Sequence, residues 1–181
     1  MIITTKVAAR IIAVLFVAIL LQNAFFSMVE VFGAPVWILP ALAAVFGLLG
    51  GSMVGATVGF AIGFFADGLV DGPLGTACLI FMAIGYLTGL YRERGDQPPT
   101  FAAALIAGAA TFAASLALGL FTVLLGFDGY LSAAALPDLL LQGIYGFLLA
   151  VPLFILIRRI LRPALVEERT SRKREPTPSG A

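Results

Sequence analysis

Gly47, Gly51, Gly55, Gly59 and Gly63 recur at every fourth position through an apolar run, and the same step then lands on Asp67 and Asp71. Glycine inside a water-exposed helix costs roughly 1 kcal/mol relative to alanine. In lipid, a ridge of glycines instead lets another helix backbone come close and gain packing contacts. Each four-residue step advances about 400° around a helix, so the ridge drifts about 40° per step and suits an inclined crossing. The ladder therefore predicts an all-α membrane protein with glycine-rich packing. Two surfaces fit the ridge: a neighbouring helix of the same bundle, or the transmembrane helix of a partner protein.

Composition points the same way. Hydrophobic residues make up 61% of the 181-residue chain and charged residues 12%, with a mean hydropathy of +1.07. A soluble domain would carry about 25% charged residues. The length suits one compact bundle. The single cysteine, Cys78, excludes an intrachain disulfide. With no histidine, zinc sites and Ser-His or Cys-His catalysis are also excluded.

The charges define a topology. All eleven basic residues fall into three clusters: Lys6 and Arg10; Arg92 and Arg94; and Arg158, Arg159, Arg162, Arg169, Arg172, Lys173 and Arg174. Basic residues mark cytoplasmic loops, which puts both chain ends and the loop near residue 92 on the inner face. The other polar breaks carry acid alone, Glu30, Asp67, Asp71, Asp128 and Asp138, and belong outside. An even number of spans must then separate successive basic clusters.

Spans are expected at about Val7–Met28, Pro73–Tyr91, Thr100–Gly126 and Asp138–Leu161. The apolar run Val36–Leu69 would be roughly 50 Å long as one helix, against a hydrocarbon core of about 30 Å. Splitting it at Gly50-Gly51-Ser52 gives helices from about Pro35 to Leu49 and from Gly51 to Leu69. The result is a polytopic bundle of six transmembrane helices, N-in and C-in. The Pro35–Leu49 helix covers only about 22 Å, so it is tilted, re-entrant or shielded by neighbours. A four-span version with 36–69 as a re-entrant hairpin satisfies the same charges. The first helix is read as a retained anchor, its apolar stretch being long for a signal peptide. Residues 1–162 form the expected bundle, and 163–181 read as a disordered basic cytoplasmic tail able to lie on anionic membrane lipids.

Several polar residues need a structural reading beside any functional one. Asp71, in DGPLG, can cap the following helix with Pro73 in its first turn. Asp67, on the glycine face, can serve structure or function. Gln22, Asn23 and Gln142 suit hydrogen bonds across helices. Asp138 suits a helix first turn, and Trp37, Tyr91 and Tyr130 suit the membrane interface. No phosphate loop, buried carboxylate pair or proton relay stands in the sequence, so no enzyme activity, cofactor or metal is expected.

Residues 55–94, GATVGFAIGFFADGLVDGPLGTACLIFMAIGYLTGLYRER, resemble the central signature of the rod-shape-determining MreD family at Gly59, Phe60, Gly63, Asp67, Gly75, Leu79, Gly85 and Tyr86. The resemblance implies a non-enzymatic scaffold of the cell-wall elongation machinery in the bacterial inner membrane. Its partners would be the bitopic protein MreC, with MreB and with RodA and its transpeptidase partner. It also implies a fold like the substrate-binding subunits of energy-coupling-factor vitamin transporters. The alternative function, such a transporter subunit, draws on Ala9 and Ala13, spaced as its docking pair. No nucleic acid or small-molecule substrate is expected on the leading reading. Its packing or interaction positions are Gly51, Gly55, Gly59, Phe60, Gly63, Asp67, Asp71, Gly75, Gly85 and Tyr86.

Overall fold

The computed structural model describes residues 5–22, 24, 30–31, 34–35, 38–68, 74–95, 98–124 and 136–172. Within them the chain forms α1 (Thr5–Leu21), β1 (Glu30–Val31), β2 (Ala34–Pro35), α2 (Leu39–Gly50), α3 (Ser52–Asp67), α4 (Thr76–Arg94), α5 (Thr100–Leu124) and α6 (Leu136–Arg172). The two short strands pair antiparallel, Glu30 opposite Pro35 and Val31 opposite Ala34, in the link between α1 and α2. Asn23, Trp37, Asp71, Asp128 and Tyr130 lie outside the described residues.

The long apolar run breaks at Gly51, where the backbone takes φ +91° and ψ 178°. A side chain is strained at such a φ, so glycine supplies the turn that separates α2 from α3. Six helices result, as the split predicts. Among the described residues, however, only Thr100–Phe121 in α5, with a mean hydropathy of 2.0 over its 22 residues, is long and apolar enough to cross a membrane. Helices α2 and α3, of 12 and 16 residues, reach only about 18 and 24 Å.

The short α2 lies at the centre. Every residue from Leu39 to Leu49 is buried, and α3, α4, α5 and α6 all pack on it. The bundle thus encloses a helix too short to span alone. Its first free N–H, on Ile38, donates to Gln22 Oε1 at 3.0 Å, so the end of α1 anchors the start of α2. Around α2 stand two intimate pairs, α3 with α4 and α5 with α6. In the second pair Phe147 packs over Gly108 and Thr111 over Gly146. Ser115 Oγ donates across the same seam to Gln142 Oε1. Helix α1 is peripheral, with Ile12, Phe16 and Val17 at least 60% exposed.

Some boundaries differ from expectation. Helix α2 starts at Leu39, whereas the expected start, Pro35, stands in β2 paired with Glu30. Helix α4 starts at Thr76 rather than Pro73, because Gly75 at φ +95° forms the left-handed turn before it. Helix α6 runs through Pro163 to Arg172, so the expected boundary at 162 falls inside it. Ala164, Leu165, Glu167, Glu168 and Arg169 are strong helix formers, which favours carrying the helix past the proline.

Candidate functional site

The glycine ladder of α3 is a seam against α4. Gly51 faces Gly89, Gly55 faces Gly85, Gly59 faces Phe81 and Gly63 faces Ala77, so the helices run antiparallel with backbones in contact. A Cβ on Gly63 would lie 2.5 Å from Ala77 O and from Cys78 Cα. One on Gly55 would enter the Gly85 carbonyl and come 2.7 Å from Gly47 Cα. Gly47, Gly55 and Gly85 therefore make one point where α2, α3 and α4 meet. Of the two surfaces that suit the ridge, the chain's own α4 fills it. The outer rows of the same pair are exposed: Phe60 (49%) and Phe64 on α3, Leu79 and Tyr86 (44%) on α4. Phe60, Phe64, Leu74 and Leu79 line one open apolar groove beside Asp67 and Cys78.

Asp67 closes one end of the seam. Standing at the C-terminus of α3, its carboxylate accepts from the backbone N–H groups of Gly75 (3.0 Å), Ala77 (3.0 Å) and Cys78 (3.1 Å). These are the donors that the first turn of a helix leaves unpaired, and a negative charge there also complements the helix dipole. Asp67 thus caps α4 from across the turn; Asp71, of which capping was expected, lies outside the described residues.

Glu93 closes the other end, and the sequence reading did not single it out. The Ser52 N–H and Oγ–H both donate to Glu93 Oε1, at 2.8 and 2.7 Å. The last turn of α4 therefore caps the first turn of α3. These hydrogen bonds, aided by the Arg92 guanidinium, hold the Glu93 carboxyl below its ordinary value of 4.5. Two cues were available: an acid flanked by two arginines, and a serine directly after a glycine break. Charge counting absorbed the first into a basic loop.

The chemistry of this arrangement is structural. Both carboxylates accept backbone hydrogen bonds, and among the described residues no cluster of three or more metal-ligating acids, cysteines or histidines occurs. Ala9 and Ala13 of α1 are both exposed.

A helical bundle with an apolar exterior and a glycine-packed, doubly capped hairpin defines the class: a helical protein of membrane-protein character. The sequence profile of the rod shape-determining protein MreD matches residues 4–160, and the chain belongs to that family. Membership carries a role in rod shape determination, and the family is a shape-determining component rather than an enzyme family. Searches of curated proteins and of solved structures found no match.

Proposed function

We propose that this protein is a multi-pass scaffold in the bacterial inner membrane, holding components of the cell-wall elongation machinery together. The observation that carries the proposal is family membership combined with a polarised bundle. Gly51 lies against Gly89, which puts the end of α4, with Arg92 and Arg94, beside the α2–α3 turn. Gln22 reaches Ile38 at the start of α2, so Arg10, about 18 Å back along α1, falls at that same turn end. Gly108 against Phe147 sets the start of α5 level with Arg158 of α6. The basic clusters thus share one end, while Asp67, Glu30 and the Asp138 position fall at the other. That polarity supports a six-span, N-in and C-in topology, with the short α2 screened from lipid.

With the ridge of α3 covered by α4, the glycines, Gly75 and Asp67 shape the hairpin, and its outer aromatic row meets a partner. An MreC-like bitopic helix over Phe60, Phe64 and Tyr86 is the contact we favour, with MreB and RodA reached through the same assembly. Depletion in a rod-shaped host should produce round cells, and affinity purification should recover the MreC-like protein. Phe60→Ala with Phe64→Ala should lower that recovery at unchanged protein level. Normal rods after clean deletion, without a redundant copy, would sink the scaffold reading; undiminished recovery from the double variant would remove only this face.

A further inference from the structure

Tyr86 stands near the middle of α4, about 15 Å along the axis from Thr76 and about 12 Å from Arg94. Hydroxyls elsewhere in the bundle are paired locally. Thr57, Thr88 and Thr111 each donate to the carbonyl one turn back, on Met53, Ile84 and Ala107, at 2.8 Å. A phenol has no such recourse, because its rigid ring carries the oxygen away from its own backbone. Among the described residues none hydrogen-bonds the Tyr86 hydroxyl, and the side chain is 44% exposed. Long helical side chains lean toward the N-terminus of their helix, which turns this hydroxyl away from Arg92 and Arg94. Beside it Leu79, Met82 and Ala83 are exposed too, and the four residues follow the spacing i, i+3, i+4, i+7. Four positions so spaced form the hole that receives one side chain of a neighbouring helix. Ala83, the smallest of them, gives the hole its depth.

We infer that this hole receives an Asn or Gln side chain from the transmembrane helix of a partner protein. The inference rests on the spanning topology and partner face proposed above, and names the chemistry that meets Tyr86 there. Hydrocarbon offers a hydroxyl neither donor nor acceptor, and an unpaired one at that depth is costly. An amide supplies both at once: its carbonyl accepts from the phenol O–H, and its N–H groups donate to the phenol oxygen. Side-chain amides join helices in lipid by such bonds. The bundle uses the same pairing in its own seam, where the amide of Gln142 meets the hydroxyl of Ser115. A second copy of the chain is the competing occupant. Gln22 and Gln142, the amide side chains among the described residues, are both engaged within the chain, which favours a different protein as the source.

The test uses the full chain, with a donor fluorophore at its C-terminus, in phosphatidylcholine bilayers. The probes are acceptor-labelled Leu/Ala transmembrane helices of about 20 residues, dilute enough to stay monomeric. One carries a single central Asn and the other Leu at that position. Energy transfer should show the Asn helix associating about fivefold more tightly than the Leu helix. Tyr86→Phe, which removes only the hydroxyl, should erase that advantage, and so should Ala83→Leu, which fills the hole. An equal advantage in the parent and in Tyr86→Phe would overturn the inference, as would a parent without preference for Asn. Recovery of the MreC-like protein from cells separates the hydrogen bond from the face that bears it. Recovery lowered by Phe60→Ala with Phe64→Ala but unchanged by Tyr86→Phe would remove the hydrogen bond alone. Recovery unchanged by either would remove the face, and the inference with it.

Discussion

Asp67 and Glu93 act alike from opposite ends of one hairpin, each a carboxylate spent on the N-terminus of the other's helix. Replacing Asp67 with Ala strands three donors at the start of α4, and loss of such a cap costs about 1–2 kcal/mol. Unfolding in detergent should register that loss, with Asp67→Asn, which keeps one acceptor, falling in between. Glu93 adds a pH dependence. Its folded-state pKa is depressed below 4.5, so the stability it contributes is complete above the unfolded value and disappears as pH falls through the folded one. Unfolding midpoints of the parent should therefore drop below about pH 4.5, and Glu93→Gln should flatten that drop. High salt should shrink the difference, since the group is exposed. A parent and variant with parallel pH profiles would refute the cap.

At the scale of elements, the ladder makes a specific statement about distance. Glycine at 55 and 85 places the α3 and α4 backbones within contact, and α2 joins them through Gly47. Gly55→Ala and Gly85→Ala should each destabilise the bundle by about 1–3 kcal/mol through overpacking. Both press on one seam, so the double variant should cost less than the sum, with a coupling of about 0.5–3 kcal/mol. Additive costs would mean that the helices do not share that contact. The central α2 yields a contrasting prediction. Ala44, with no exposed surface, should reject leucine at a similar cost of about 1–3 kcal/mol, whereas the exposed Val17 of α1 should accept it within about 0.5 kcal/mol.

Across the whole molecule, the sequence made helix number, the Gly51 break and the small-residue seam readable, because each depends on local chemistry: step length, charge sign and backbone freedom. Asp67 was recognisable as an ionisable group on the glycine face, but its partners were not, since they lie up to eleven residues away across a turn. Glu93 was hidden for the same reason, its acceptor role depending on Ser52, 41 residues earlier. The seating of α2 was equally out of reach: a short apolar helix reads alike whether tilted, re-entrant or enclosed. The end of α6 was misplaced because composition weighs charge and Pro163 more than the helix formers that follow. Topology at this scale is tested by labelling. A cysteine at Asp96 or Gly180 should react with impermeant reagents only from the inner face, and labelling of either from outside would invalidate the inner placement of the basic end.

The double capping of the α3–α4 hairpin also sets an order of events during synthesis. Asp67 leaves the ribosome before the N–H groups it will hold, whereas α3 must wait for Glu93 to be made before its own start is closed. The hairpin is consequently complete only when the last turn of α4 exists. A released chain truncated before residue 93 should hold α3 and α4 loosely, and one ending a few residues later should resist their separation.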